Sequence, residues 1–183
     1  MNILRPLAST DSPTLLRWRN RSEVARFMYT DHVISIEEHA AWFDRALTRS
    51  DARYWIIVSH GEDVGLVCVS EIDRRHSTCS WAFYIAEPSA RGHGIGAFTE
   101  FTVVDLVFED LGMRKLSCEV LATNLEVVSM HERFGFVREG LFRGAVVKGG
   151  EAVDVHRLGL LREEWIEARE THRIALREKG ISV

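Results

Sequence analysis

Apolar positions along the chain fall into two rhythms, and each predicts a kind of element. Spacings of three and four residues gather side chains on one helix face. Asp11-Ser12-Pro13 predicts a helix start ahead of Leu15, Leu16 and Trp18. Ser35-Ile36-Glu37-Glu38 has the form of a capping box, and the helix behind it puts His39, Trp42, Phe43 and Ala46 on one face. β-Branched and apolar runs predict strands at Asn2 to Leu7, Tyr54 to Ser59, Val64 to Val69, Thr78 to Ala86 and Lys115 to Leu121. His60-Gly61-Glu62-Asp63 reads as the turn of a hairpin, and Asp73 to Ser77 as a polar turn. A long apolar helix is predicted up to Leu111, with Gly112 to stop it. Asn124 is placed to cap another helix, which ends at Phe134 and Gly135. Phe136 to Val147 and Ala152 to Leu160 form a last hairpin around Lys148-Gly149-Gly150-Glu151, and 162–179 a charged terminal helix with Trp165 and Ile166 packed inward. A meander of strands followed by strand–helix–strand–helix–hairpin predicts an α+β domain, a mixed sheet flanked by helices over residues 1–183.

The segment between the Thr78 strand and the long helix carries the clearest chemistry. Arg91-Gly92-His93-Gly94-Ile95-Gly96-Ala97 joins a strand to a helix start. Glycines let successive N–H groups converge without Cβ clashes, and the first helical turn adds unpaired donors and the positive end of the dipole. A pyrophosphate fits such a place. The same residues also satisfy G-x-G-x-x-A, with Glu119 near the place of a ribose-binding acid. Against a dinucleotide fold, the glycines follow an antiparallel meander, and no second mononucleotide-binding half follows Asn124. No Lys-Ser/Thr pair follows the glycines, so the Walker pattern fails.

Composition narrows the classes further. Apolar residues make up 46% and charged residues 27% of 183, the proportions of one globular core. The net charge of −4 and the scattered basic residues argue against a nucleic-acid partner. The apolar stretch Phe98 to Leu111 is interrupted by Glu100, Asp105, Glu109 and Asp110, so it reads as a buried helix and not a membrane span. Met1 to Ser9 lacks a signal-peptide pattern, and Cys68, Cys79 and Cys118 form no C-x-x-C pair; reduced core thiols of a cytoplasmic protein are expected. The eight histidines show no H-x-x-x-H or H-E-x-x-H spacing, so no metal site is expected, and there is no G-x-S-x-G elbow.

Arg91-x-x-Gly94-x-Gly96 resembles the Q/R-x-x-G-x-G/A signature of the GNAT acetyltransferases, and Glu119-Val120-x-x-x-Asn124 followed by His131-Glu132-Arg133-Phe134-Gly135-Phe136 is similar to their distal pattern. The resemblance implies a GNAT fold and acetyl-CoA as acetyl donor, with its pyrophosphate on Arg91 to Ala97. A closer resemblance, to the pseudaminic acid pathway acetyltransferases, spans nearly the whole chain. It rests on Leu16-Arg17-Trp18-Arg19-Asn20, Met28-Tyr29-Thr30, His32-Val33-Ile34-Ser35, Glu38-His39, Glu71-Ile72-Asp73-Arg74, Trp81-x-Phe83-Tyr84, Phe142-Arg143 and Val153-Asp154-Val155. It implies that the acceptor is the 4-amine of a UDP-linked 4-amino-4,6-dideoxy sugar, used to make a nonulosonic acid for flagellin and other surface glycans.

Amine acetylation needs a proton acceptor for the ammonium, a polarised thioester and a proton for the leaving thiolate. Glu119 is the first choice for the acceptor, since strand alternation turns it away from Cys118 and Val120. Its other reading is an ion pair on a strand, and Glu71 is the alternative base. His131 stands where the family usually has a tyrosine; an imidazole can supply the proton, and the other reading is that it only hydrogen-bonds CoA or packs on the helix face. By resemblance the oxyanion is held by main-chain N–H groups near Tyr84 and Ile85, and Asn124 touches the pantetheine arm. Arg19, Asn20, Tyr29, His39 and Trp42 are expected around the acceptor, Arg19 on a diphosphate and Tyr29 or Trp42 on a ring face. Trp42 reads more readily as core, since it shares the apolar helix face with Phe43 and Ala46, and the other reading of His39 is a second-layer residue. Other readings are a protein-directed acetyltransferase, ribosomal-protein type included, a non-catalytic acyl-CoA-binding module and, more distantly, an NAD-binding protein. A monomer or homodimer is expected.

Overall fold

The computed structural model describes Met1–Val183. Seven strands form one sheet: β1 (Asn2–Pro6), β2 (Arg53–Ser59), β3 (Glu62–Asp73), β4 (Thr78–Ile85), β5 (Lys115–Leu121), β6 (Val137–Lys148) and β7 (Glu151–Leu161), in the order β1-β2-β3-β4-β5-β7-β6. Every neighbouring pair is antiparallel except β4 and β5. The helices are α1 (Ser12–Arg19), α2 (Ser22–Ala25), α3 (Ile36–Thr48), α4 (Ile95–Asp105), α5 (Leu125–Arg133) and α6 (Arg162–Glu178). None is long and apolar enough to cross a membrane.

Local chemistry explains the turns. β2 and β3 join through His60 and Gly61, both with positive φ (51° and 87°), as a tight hairpin requires. Asp73 Oδ1 accepts the N–H groups of Arg75 and His76, which turns β3 into β4. β6 and β7 turn at Gly149 and Gly150, again with positive φ.

Alternation along β2 divides the interior in two. Ile56 and Val58 face a smaller cluster with Leu15, Trp18, Val24 and Phe43 from α1 to α3. Ile57 faces the main core, which takes Phe98, Phe101, Val103 and Val104 of α4 and Trp165 of α6. α4 is buried nearly all round, down to Thr99 and Glu100.

Several expectations are corrected here. The helix start at Asp11-Ser12-Pro13 holds, with α1 beginning at Ser12, but Asp11 gives it no side-chain cap: its buried carboxylate takes the Ala8 N–H and the Arg5 guanidinium, which also reaches Asp63. Ser35 caps α3 by accepting the Glu38 N–H, but the Glu38 carboxylate goes to His32, so the box is half made. Asn124 begins α5 without a side-chain cap. The long helix relaxes into a π turn over Leu106–Asp110 before Gly112. Trp165 is buried with its Nε1 on Asp105, while Ile166, one position round the helix, is 56% exposed. Cys79 and Cys118 are core thiols; Cys68 is only partly buried.

Gly65 brings β3 against β4: a Cβ there would stand 2.2 Å from the Tyr84 carbonyl oxygen. Gly65→Ala must therefore push the strands apart, at a cost of about 1–3 kcal/mol. A urea unfolding midpoint lowered accordingly is the expected result, and an unchanged midpoint contradicts it.

Candidate active site

β4 and β5 stay paired only at Thr78↔Lys115, Cys79↔Leu116 and Ser80↔Ser117. β5 then leans wholly on β7, through to Leu121↔Val155. Ala86 N–H donates to Val64 O, and this fixes the hydrogen-bonding parity of β4 with β3: Leu66↔Tyr84 and Cys68↔Ala82 are the pairs that exchange main-chain bonds. The main-chain groups of Phe83 and Ile85 accordingly face the gap. Arg91 Nη2 donates to Ile85 O, so the donors left toward the gap are the N–H groups of Phe83 and Ile85. Tyr84, expected to supply one, turns its main chain to β3 instead, and Phe83 takes the place.

The gap opens into a cavity of about 650 Å³. One wall is Trp81 to Ile85 and the other Cys118 to Leu121; Asn124, Val127, Met130 and His131 of α5 close it from the side. At one end lie Arg91, Gly92, Gly94, Ile95 and Gly96. Gly94 is the left-handed N-terminal cap of α4 (φ 76°), Gly92 also has positive φ (80°), and the Ile181 side chain packs where a Cβ on Gly94 would stand. The glycine turn thus leads into the N-terminus of an eleven-residue helix, whose first N–H groups suit an anion. His93 and Ala97, expected at the cofactor, do not line the cavity.

Glu23, Glu71, Glu119 and Glu126 line the cavity, and hydrogen bonds hold Glu119 and Glu71 in place. Glu119 accepts from the Tyr29 hydroxyl at 2.7 Å and from Arg157 Nη1 at 2.9 Å, one on each oxygen. Burial, with Glu119 beside it, pushes the Tyr29 phenol above its ordinary range. Glu71 sits in the irregular stretch of β3 between Ser70 and Asp73 with φ at 53°, a strained value for this side chain. Its Oε2 accepts from the Ser80 hydroxyl at 2.7 Å.

His131 lines the cavity, yet it is only 3% exposed. Its Nδ1 lies 2.7 Å from Oε1 of Glu100, a carboxylate with no exposure at all. Trp81 meets the ring edge-on, and Phe136 lies across it. Burial alone pulls the imidazole down, but the Glu100 carboxylate and the Cys118 thiol outweigh it and push the group up to about 10. Sequence reading missed Glu100 because it took the acids of this helix as interruptions of an apolar run. The available signal was an acid with no polar face to sit on.

The far end of the cavity holds Arg19, Arg26, Met28, Tyr29 and Thr30. Arg19 Nη2 reaches Thr30 at 3.3 Å, while its Nε is buried without a protein partner. Lys148, at the tip of the β6–β7 hairpin, donates to the carbonyls of Ala25, Met28 and Thr30, and Gly149 N–H to Asp31. This clamp on residues 25–31 was not foreseen from sequence. Three expected acceptor residues lie elsewhere. Asn20 braces Ile34 through both its N–H and C=O. His39 is buried on the Ser12 carbonyl at 2.9 Å, because α3 turns it toward α1. Trp42 packs edge-on against Tyr54 in the smaller core.

Comparisons with known proteins converge on one family. Residues 2–137 match the family described as the acetyltransferase (GNAT) domain. The chain is 22% identical over 168 residues to the spermidine N(1)-acetyltransferase of Escherichia coli K12, covering 92% of this chain and 90% of that protein. It is 22% identical over 130 residues to the acetyltransferase PseH of Campylobacter jejuni, covering 71% and 79%. The solved structure of Vibrio cholerae spermidine N-acetyltransferase with CoA and spermine superposes with a TM-score of 0.83 at 22% identity, over 90% of this chain and 98% of that one. At that identity the superposition speaks for the fold.

Lys148→Met removes the one side chain that bonds all three carbonyls of the 25–30 segment. Amide hydrogens of this segment are expected to exchange about tenfold faster, with the β5–β7 ladder unaffected. Unchanged exchange there means the hairpin tip does not hold the cavity's far wall.

Proposed function

Because the chain belongs to the GNAT acetyltransferase family, it is an acetyl-CoA-dependent N-acetyltransferase, and we propose that its acceptor is the 4-amine of a UDP-linked 4-amino-4,6-dideoxy sugar on the route to pseudaminic acid. The observation that carries this choice is the far end of the cavity. Two guanidinium groups, Arg19 and Arg26, stand there, with Glu23 also on the cavity wall, and the buried Nε of Arg19 has no protein partner. Paired guanidinium groups suit a diphosphate, which they can bond bidentately, and offer nothing to a polycation. The motif resemblance around Arg19, Tyr29 and Glu71 supports the same choice.

In this reading the glycine cradle and Arg91 hold the pyrophosphate of acetyl-CoA, with Asn124 beside the pantetheine arm. The Phe83 and Ile85 N–H groups polarise the thioester carbonyl. Glu71 receives the proton of the amine through its open oxygen. Glu119, with both oxygens engaged, anchors Tyr29 and Arg157 at the mouth. The leaving thiolate takes its proton from His131. This departs from the sequence preference for Glu119 as the base, on the ground that one Glu71 oxygen carries no protein hydrogen bond while both Glu119 oxygens do.

A polyamine acceptor is the second reading. The four cavity carboxylates, Glu23, Glu71, Glu119 and Glu126, favour it, as does the name of the E. coli relative.

Thiol release from acetyl-CoA, with the UDP-4-amino sugar, spermidine and a peptide as rival acceptors, separates these. The expected result is release with the UDP-sugar, and a KM for it raised about 10- to 100-fold by Arg19→Ala with kcat little changed. Release with spermidine alone or peptide alone overturns the sugar assignment. In the same assay Glu71→Gln is expected to lower kcat about 100-fold, more than Glu119→Gln does; the reverse order returns the base to Glu119.

A further inference from the structure

A buried carboxylate on α4 and a buried imidazole on α5 meet directly behind the cavity, and packing alone does not account for them. Glu100 and His131 are 0% and 3% exposed, in a shell of Trp81, Phe136 and other apolar side chains. Replacing a buried ion pair by apolar residues of similar volume is often neutral or stabilising, so stability is a weak reason for keeping one. One member of the pair, His131, also reaches the cavity surface.

We propose that Glu100 is a positioning residue for acetyl transfer: by holding Nδ1 of His131, it keeps a proton on the other ring nitrogen, Nε2, for the departing thiolate. The inference rests on the reading of His131 as the acid, not on which amine is the acceptor.

The geometry fixes the tautomer. Nδ1 is committed to Glu100 Oε1 at 2.7 Å, so Nε2 is the ring nitrogen left to donate. The charged and titratable groups around the ring are few. Glu100 faces it from α4 and the Cys118 thiol from β5, while Arg133 on α5 acts on Glu100. Trp81 of β4 and Phe136 present uncharged rings. A dry imidazole without the carboxylate would titrate below its ordinary value and carry no proton to spare near neutral pH. With it, the group is brought to about 10, where an unassisted phenol titrates.

The step balances as follows. The amine nitrogen forms a bond to the thioester carbon and the C–S bond breaks, with its electron pair going to sulfur. Nε2–H of His131 passes its proton to that sulfur, giving free thiol and a neutral imidazole still bonded to Glu100. The proton lost by the amine goes to the cavity carboxylate and then to water, and water reprotonates the ring.

The test is a four-variant cycle, read as kcat for thiol release with any amine that supports turnover. Its members are the native enzyme, Glu100→Gln, His131→Tyr and the double variant. Glu100→Gln is expected to lower kcat about 100-fold at slightly alkaline pH, less at acid pH, with the KM for acetyl-CoA unchanged. In the His131→Tyr background the same change is expected to cost about threefold or less, because a phenol donates its proton without a counter-charge. Equal losses in both backgrounds, or a loss that does not vary with pH, overturn the inference. His131→Phe separates the two layers. Full turnover in that variant removes the His131 reading itself; impaired turnover beside an unimpaired Glu100→Gln removes only the role of Glu100. Should Glu100→Gln not fold, the ¹⁵N spectrum of His131 in the native enzyme decides: both ring nitrogens protonated at mildly alkaline pH is the expected result, and one bare nitrogen overturns the inference.

Discussion

The separation of β4 from β5 after three paired residues is the constraint on which the rest of the structure depends. Had the pairing continued, the N–H groups of Phe83 and Ile85 would be spent on the ladder and there would be no cavity wall. The sheet tolerates the break because each strand is secured on its other side, β4 by β3 and β5 by β7. The glycine turn follows directly from the freed end of β4, so the anion cradle and the open N–H groups belong to one continuous stretch of chain. Trp81, His131 and Phe136 pack together behind the point of separation, Trp81 stacked on Phe136 and edge-on to His131.

The two cores divide the work. The larger one fixes α4 and α5, and with them the cradle and the Glu100–His131 pair. The smaller one seats α1 to α3, from which the segment carrying Arg26 to Thr30 crosses to the cavity. That segment packs no large core of its own. It is tied at three carbonyls by Lys148, which comes from the far edge of the sheet. The cavity end at the glycine turn is therefore held by burial, and the end at Arg26 to Thr30 by hydrogen bonds.

Whatever depends on local pattern was legible in the sequence. The strands, the turn at Gly149-Gly150, the cap at Ser35 and the glycine cradle each follow from residues a few positions apart. The motif positions of Arg91, Asn124 and His131 also fell on the cavity, as did Arg19, Tyr29 and Glu71. What sequence did not reveal is set by contacts between distant segments. His39 and Trp42 share the face of α3 that meets α1 and β2, so the periodicity that drew attention to them marks core. Asn20 spends its amide on the Ile34 main chain. The partner of His131 lies thirty-one positions away, and Lys148 is more than a hundred from the carbonyls it holds. Strand parity, which moved the free donor from Tyr84 to Phe83, needs a register no single strand contains.

The most direct test of the account is amide hydrogen exchange along β4, with and without acetyl-CoA. Ala82 and Tyr84, bonded to β3, should be protected in both states. Phe83 and Ile85 should exchange freely in the unliganded enzyme and become protected when acetyl-CoA binds. Protection of Phe83 and Ile85 without ligand, or no change on binding, would contradict the claim that the separation of β4 from β5 is what receives the thioester.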